Sequence, residues 1–406
     1  MALKILCVTI TTQYFPLGIS GQAKANASII TSLAARGHDC NAVLLLHPDD
    51  GARYDSSLAE LQQAGIEVAS EDWCDRFILD GIDVTVGVEV CGFTDLLREE
   101  ARRFAPDCVL VTAAQQLMYA TQAACSAPCA FLVHDVFQLP FGPFASSARL
   151  SRSHAKLFEH AAEVISVSQF SVEYLRKFGG IESELLYLPC FGRGPFPNFG
   201  NLETGYVTYL NPSLWKGLPV FLEVARRLPE VAFATIPLWA TTPSDRAAVE
   251  ELPNVTVLEP TRDIDEILSQ TRVVMIPSMG YDPFSVLAVE AMLRGIPVVG
   301  SNVGGVPEAL LGVGEACPVP ALTPTSAEPV SEDIAAAWCN AIRRLLSDRD
   351  HHEERSREGR RAAEEYISRF TIEAYERYFE SLAARRGAER PLIALHRSCA
   401  PTRQTP

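Results

Sequence analysis

Apolar runs of four to six residues alternate with amphipathic segments along most of the chain. In the first half these runs predict strands at 5–10, 41–46, 108–112, 130–134 and 163–167. Helix-like segments occupy 22–36, 93–104, 114–125, 148–162 and 171–178. Such alternation predicts right-handed βαβ crossovers and a parallel sheet with helices on both faces. A stretch rich in β-branched residues at 77–90 predicts a hairpin inserted into this pattern.

The pattern stops in a segment dense in glycine and proline, 189–200, and then resumes. The second run predicts strands at 206–210, 232–236, 255–258, 273–276 and 297–300, and helices that begin near Leu218, Pro243, Ile264, Pro283 and Gly305. From Ser331 the chain is helical and charged, with predicted helices at 334–347, 349–367 and 372–384.

Two similar α/β halves joined by a linker predict a ligand cleft between them. We therefore predict an α/β protein with two Rossmann-like domains facing across a cleft. The predicted N-terminal domain is 1–190, the linker 191–203 and the C-terminal domain 204–370. A further helix follows at 371–387, and the tail 388–406 is predicted to be disordered.

Charge and cysteine content narrow the class of function. A net charge of −15 argues against a nucleic-acid partner and against a broad basic membrane patch. The 11 cysteines are scattered, and Cys125 and Cys129 have no matching pair that would complete a zinc site. Buried thiols in a reducing cytoplasm are the expected use. His351 and His352 lie in a charged helical stretch and are expected to face solvent.

No targeting segment is expected from the sequence. The apolar run after Lys4 is short and is interrupted by Gln13, Tyr14 and Pro16, unlike a signal peptide. No run of 18 apolar residues predicts a transmembrane helix. We expect a cytoplasmic protein.

The most informative stretch runs from Arg272 to Glu308. An apolar strand leads into a loop, where Asp282 and Pro283 are typical of a helix N-cap and first turn. Gly295 is a typical C′ residue at the other end. Glu290 lies between them on a helix that is apolar on nearly all sides. Burying its carboxylate costs several kcal/mol unless it is paired, so we expect a polar partner there.

This stretch resembles the signature of retaining glycosyltransferases of family 4, which adopt the GT-B fold. The signature places an acid eight residues before a glutamate, here Asp282 and Glu290, and continues into a Gly-Gly-x-Pro-Glu turn at 304–308. The family's first acid is usually glutamate, and its usual glycine is Ser285 here. The resemblance implies two Rossmann-like domains and a C-terminal helix that crosses back to pack on the N-terminal domain.

On the C-terminal domain the resemblance assigns most of the donor site. Lys216 binds the diphosphate of a nucleotide-sugar donor, while Asn211 stands where the family usually has arginine. Asp282 bonds the donor sugar and Glu290 the ribose. Backbone N–H groups around Phe284 and Ser285 face the phosphate at the helix start, and Pro283 and Val286 also belong to the donor site. From the residues alone, Lys216 could be a solvated loop lysine, Asp282 a plain N-cap and Glu290 a core acid with a buried partner.

On the N-terminal domain two strand ends carry candidate residues. The loop 14–21 resembles a family loop whose small residues, here Gly18, Ser20 and Gly21, approach the donor phosphate. It has no dinucleotide-binding Gly-x-Gly-x-x-Gly pattern. His134, at the end of an apolar strand, matches a family histidine near the reacting sugar. The alternative for His134 is a structural bond to backbone, and for the loop 166–171 helix capping comes first.

The expected activity is transfer of a sugar from a nucleotide sugar, UDP favoured, to a small soluble acceptor with retention of configuration. By resemblance the reaction follows a metal-independent front-face mechanism with no cofactor, in which His134, Lys216 and Asp282 act. A catalytically divergent sugar-nucleotide-binding or coupling protein on the same fold is the alternative, motivated by Asn211, Ser20 and Ser285. A non-hydrolysing epimerase is a further alternative.

Overall fold

The computed structural model describes residues 2–47, 50–88, 92–113, 115–144, 163–280, 282–322 and 326–385. Within these ranges the strands form two sheets. The first contains β1 (Lys4–Ile10), β2 (Asp39–Leu45), β3 (Ala69–Ser70), β4 (Cys74–Leu79), β5 (Ile82–Gly87), β6 (Cys108–Val111), β7 (Cys129–Val133), β8 (Glu163–Ser166) and β9 (Glu184–Leu185). The second contains β10 (Tyr206–Leu210), β11 (Phe233–Ile236), β12 (Val255–Val257), β13 (Thr271–Ile276), β14 (Val298–Ser301) and β15 (Glu315–Cys317).

Helices connect the strands in the pattern that parallel sheets require. Around the first sheet they are α1 (Gly21–Ala35), α2 (Gly51–Gln63), α3 (Phe93–Phe104), α4 (Gln115–Ala124) and α5 (Gln169–Tyr174). Around the second they are α6 (Leu218–Arg227), α7 (Pro243–Glu250), α8 (Ile264–Leu268), α9 (Val286–Leu293) and α10 (Val306–Ala309), followed by α11 (Glu332–Ser347), α12 (Arg349–Arg369) and α13 (Ile372–Ala384). Of the described helices, none is both long and apolar enough to cross a bilayer.

Strand order confirms the predicted α/β class. The first sheet runs β3-β4-β5-β2-β1-β6-β7-β8-β9 and the second β12-β11-β10-β13-β14-β15. All pairs are parallel except β3–β4 and β4–β5, which form the predicted hairpin insertion. In both sheets the order reverses beside a central strand, β1 in the first and β10 in the second. Loops at the carboxyl ends of strands on either side of such a reversal leave a crevice where ligands bind.

Core packing explains why the strands appear in the sequence as continuous apolar runs. Along β1, Ile5 and Cys7 belong to one buried cluster and Leu6 and Val8 to another, because alternate side chains point to opposite faces. The first of these clusters extends into the second sheet and includes Val274. A continuous apolar core therefore joins the two halves. The described cysteines other than Cys125 are buried, and burial raises the pKa of Cys7 to about 12.

The C-terminal helix α13 packs on the first half, as the predicted GT-B arrangement requires. Tyr375 Oη donates to the carbonyl of Leu186 at 3.0 Å, and Arg36 on α1 forms ion pairs with Glu373 and Glu376. Aromatic side chains pack together where the chain leaves the first half and where it returns, and the ring centroids of Tyr187 and Phe370 are 4.2 Å apart. We call this set the crossing cluster, and it comprises Tyr187, Phe191, Phe284, Tyr366 and Phe370.

Several predicted boundaries need correction. The sequence interpretation missed helix α2 and strand β15, and the predicted helix 148–162 and the tail 388–406 lie outside the described residues. His352 was expected to face solvent but is buried, with Nδ1 3.0 Å from the carbonyl of Leu345. Its neighbour His351 lies 2.6 Å from Glu315 Oε1. Both histidines lie on the side of α12 that packs against the second half, which shields them from solvent.

The signature helix also starts later than predicted. Helix α9 begins at Val286, with Ser285 and not Asp282 at the N-cap. The Asp282 side chain is already engaged elsewhere, and its carbonyl accepts from Gly305 N–H at 2.9 Å. The Gly-Gly turn of the signature therefore holds the loop before α9 in place. At the other end Arg294 is the C-cap and Gly295 has φ +71°, as predicted for a C′ glycine.

Candidate active site

A deep cleft opens between the two sheets at the carboxyl ends of their strands. Its lining comes from both halves and includes the ends of β7, β10, β11 and β13. The cleft encloses about 1260 Å³, its open mouth included. A cleft lined from both sheets at the carboxyl ends of parallel strands is the usual place for a ligand in this kind of fold.

The C-terminal face of the cleft centres on an ion pair. Lys216 Nζ lies 2.8 Å from Asp282 Oδ2, and Ser278 Oγ donates to the same oxygen at 3.2 Å. The two charged residues come from the loops after β10 and β13, which are neighbours in the sheet. Among the described residues that line the cleft, Lys216 is the one Lys or Arg. An anion bound here would be drawn to Lys216, and the carboxylate of Asp282 is able to accept hydrogen bonds from hydroxyl groups.

Asn211 has a structural role that arginine could not fill. Its backbone has φ +62°, in the left-handed region that asparagine tolerates better than most residues. Its Oδ1 accepts from Ala240 N–H at 3.0 Å and from Thr241 Oγ1 at 3.4 Å. The side chain lines the cleft while it fixes the loop after β11. The position predicted to contact phosphate thus anchors the cleft wall.

The start of helix α9 supplies polar backbone to the same face. Pro283, Phe284, Ser285 and Val286 all line the cleft, as the predicted site requires. The Ser285 side chain makes no cap bond to the helix. Unpaired N–H groups at a helix start favour anions, which places a second electropositive element near Lys216.

Glu290 lies one turn deeper on α9 and meets a lysine from the other half. It is 7% exposed and forms an ion pair with Lys24 on α1. Burial lowers the pKa of Lys24, but the charge and hydrogen bond of Glu290 outweigh burial, and the pKa is raised overall. The expected polar partner is therefore a side chain that reaches across from α1. Glu290 does not itself line the cleft, although Val286 and Leu287 on the same helix do.

The N-terminal loop brings two of its three predicted residues to the cleft. Ser20 and Gly21 line it, and Ser20 Oγ accepts from Ala23 N–H at 3.0 Å as the N-cap of α1. A Cβ added to Gly21 would lie 3.2 Å from Val286, so the starts of α1 and α9 approach closely. Gly18 does not line the cleft. A Cβ there would lie 2.0 Å from the carbonyl oxygen of Thr12, so glycine is required by the packing of the loop itself.

His134 faces the cleft from the end of β7 and is 6% exposed. Its Nε2 lies 2.7 Å from Asn26 Oδ1, and its carbonyl accepts from Gln22 Nε2 at 3.2 Å. Burial lowers the pKa of His134 from 6.5 to about 3, so the imidazole is neutral near neutral pH. The nearby loop 166–171 caps α5 as predicted, since Ser168 accepts from Ser171 N–H.

An aromatic rim was missed by the sequence interpretation. Trp239 lines the cleft and is 56% exposed, which is unusual for so large an apolar side chain. Trp215 and Phe137 also line the cleft, with ring centroids 5.6 Å apart. Trp239 follows β11 closely, so the rule that ligands bind at the carboxyl ends of strands could have identified it.

Two family models match the chain, one in each half. Residues 20–190 match the model described as "Glycosyl transferase 4-like domain". Residues 203–348 match the model described as "Glycosyl transferases group 1". A search of curated proteins finds no match.

Solved structures with the same fold include proteins from several bacteria. HepE from Anabaena, in complex with UDP-glucose, is 18% identical with a TM-score of 0.64, over 94% of this chain and 100% of that chain. Sucrose-phosphate synthase from Thermosynechococcus elongatus is 16% identical with a TM-score of 0.65, over 94% and 99%. A glycosyltransferase from Rickettsia africae is 15% identical with a TM-score of 0.61, over 94% and 98%. At these identities the likeness shows the GT-B fold.

Proposed function

We propose that this chain, a glycosyltransferase by the match of both its halves to glycosyltransferase models, transfers a sugar from a UDP-sugar to a small soluble acceptor with retention of configuration. The observation that carries the proposal is the cleft between the sheets, where Lys216, Asp282 and the start of α9 meet. The proposed donor nucleotide is UDP, supported by the UDP-glucose complex of HepE.

The donor diphosphate is proposed to bind where positive character is concentrated. Lys216 neutralises part of its charge, and the starts of α1 and α9 turn N–H groups toward the same region. Because Gly21 leaves these two helix starts in close approach, both act on one anion. Charge that develops on the leaving diphosphate is stabilised by groups already in place, which is the largest source of rate in many enzymes.

The sugar and ribose are proposed to bind on either side of the diphosphate. Asp282, oriented by Ser278 as well as Lys216, accepts hydrogen bonds from donor-sugar hydroxyls. Glu290 accepts from the ribose, and in doing so it exchanges part of its contact with Lys24 for the nucleotide. The chemistry proposed is front-face transfer, in which the leaving diphosphate takes the acceptor proton. No metal ion is included, and the protein is proposed to be cytoplasmic.

A thermal-shift screen with UDP, GDP, ADP and TDP tests the nucleotide assignment. A ligand that binds the folded protein raises the melting temperature by mass action, and UDP is expected to give the largest shift. Transfer from UDP-glucose in the presence of EDTA then tests catalysis without a metal, and NMR of the product gives its anomeric configuration. Tight UDP binding with no turnover of any nucleotide sugar would favour the divergent binding protein. Product with inverted configuration would overturn retention.

A further inference from the structure

A buried hydrogen-bond network behind the cleft determines which nitrogen of His134 carries its hydrogen. Asn26, on α1, is fully buried. Its Nδ2 lies 2.8 Å from the carbonyl oxygen of Gln13 and 3.0 Å from Thr112 Oγ1. A carbonyl only accepts, so the NH₂ group must face Gln13 and the amide orientation is fixed. Thr112 Oγ1 in turn donates to Thr9 Oγ1 at 2.6 Å.

The fixed amide leaves one role for the ring of His134. Asn26 Oδ1 faces Nε2 at 2.7 Å, and an amide oxygen cannot donate. Nε2 therefore carries the hydrogen. Because burial keeps the imidazole neutral, Nδ1 then holds a lone pair. Nδ1 forms no hydrogen bond to a described residue, and His134 lines the cleft, so this lone pair is available to a ligand bound there.

We propose that Asn26 is a positioning residue that holds His134 as the Nε2–H tautomer, so that Nδ1 accepts a hydrogen bond from a sugar hydroxyl in the cleft. The hydroxyl part rests on the proposed function, whereas the tautomer does not. His134 is then an acceptor on the N-terminal face that complements the acceptor Asp282 on the C-terminal face. A sugar ring between them would be held by its own O–H groups.

The tautomer is measured directly on the full ligand-free chain. Long-range ¹H–¹⁵N NMR of histidine side chains distinguishes protonated from unprotonated ring nitrogens, and His134→Gln identifies the signal. The expected spectrum shows Nε2 protonated and Nδ1 unprotonated from pH 5 to pH 8. A spectrum with Nδ1 protonated, or a ring that becomes doubly protonated within that range, would overturn the proposal.

Two substitutions at Asn26 separate positioning from mere packing. Asn26→Leu removes the acceptor, and the Nε2–H preference is expected to give way to a tautomer mixture. Asn26→Asp places a carboxylate beside the ring, which favours the imidazolium, so the protonation midpoint of His134 is expected to rise. The matched control Thr112→Val disturbs the same network without touching the His134 bond and should leave the tautomer unchanged. An unaltered signature in Asn26→Leu would contradict the assignment, and if that variant does not fold, the midpoint in Asn26→Asp decides.

Binding of UDP-glucose and UDP tests the hydroxyl contact. Loss of one hydrogen bond to the sugar is expected to weaken UDP-glucose by about tenfold in Asn26→Leu and to leave UDP within about twofold. Equal weakening of both ligands would show that Asn26 serves only the fold, and would overturn the sugar contact. If the wild-type chain binds neither ligand, the proposed function fails, while the NMR experiment still decides the tautomer.

Discussion

The two faces of the cleft hold their polar groups by different means. The C-terminal face uses charge, with Lys216 and Asp282 paired at 2.8 Å and both only partly buried. The N-terminal face uses neutral groups, with His134 and Asn26 bonded at 2.7 Å and both buried. A charged pair near solvent can exchange partners when an anion arrives, whereas a buried neutral network keeps its geometry. The first face is suited to binding a diphosphate, and the second to orienting a sugar.

Removing the Lys216 cation should have the largest effect on sugar transfer. A small effect would contradict the contrast between a charged and a neutral face. Lys216→Ala is expected to lower sugar transfer by about 100- to 1,000-fold, because one preorganised group at a developing charge contributes that much. Steady-state kinetics with UDP-glucose measures the loss. Arg246→Ala is the matched control, since Arg246 pairs with Glu250 on an exposed helix of the same half. Activity of Lys216→Ala near that of the control would mean that the diphosphate binds elsewhere.

The buried neutral His134 on the N-terminal face should make the stability of the protein depend on pH. With the pKa of His134 lowered to about 3 in the folded state, the unfolded chain takes up a proton below pH 6.5 that the folded chain does not. Stability is therefore complete above pH 6.5 and falls as the pH drops, by about 2 kcal/mol at pH 5 from this site. Urea unfolding at pH 7.5 and 5.0 measures it. His134→Gln should lose less stability on acidification, and an equal loss in both proteins would contradict a neutral buried ring.

The ion pair between Lys24 and Glu290, which joins α1 to α9, gives a further test of the comparison. Glu290→Gln is expected to weaken UDP by about tenfold through loss of a charged hydrogen bond to the ribose. Lys24→Met removes the other partner and should leave UDP affinity within about twofold, because the freed carboxylate is still available. Calorimetry with UDP measures both. If the two variants weaken UDP equally, the pair serves only to hold α1 against α9.

The smallest effect is expected at the rim. Trp239→Ala removes an exposed ring, so stability should change by no more than about 0.5 kcal/mol. If a sugar ring rests on this indole, KM for acceptor or donor should rise by about threefold to tenfold while kcat changes little. Ile78 is the control, because it is also a large exposed apolar side chain but does not line the cleft, and Ile78→Ala should leave KM unchanged. An unchanged KM in Trp239→Ala would remove the rim from the substrate site.

Sequence reasoning succeeded where local pattern and topology agree. The helix 93–104 is confirmed residue for residue because its apolar face repeats regularly and it ends before Pro106. Lys216, Asp282 and His134 lie in one cleft because each follows a strand, and parallel strands bring their carboxyl ends together. The two-sheet architecture followed from the same alternation.

Long-range partners could not be read in the same way. That Glu290 needed a polar partner was evident from its apolar neighbours, but Lys24 lies 266 residues away in the chain. Asn211 looked like a weakened phosphate ligand, yet its left-handed backbone and its bonds to residues 240 and 241 depend on how two loops meet. The start of α9 was misplaced because Asp282 resembles a cap, while a lysine from a neighbouring strand end competes for it.

The crossing cluster has a mechanical consequence. The chain passes between the halves twice, once after Tyr187 and once near Phe370, and these rings pack 4.2 Å apart. Two adjacent covalent tethers form a hinge, since they leave rotation about the line through them as the easy motion and resist sliding or separation. Opening would therefore rotate the Lys216 side of the cleft away from the His134 side, about an axis that runs along these rings.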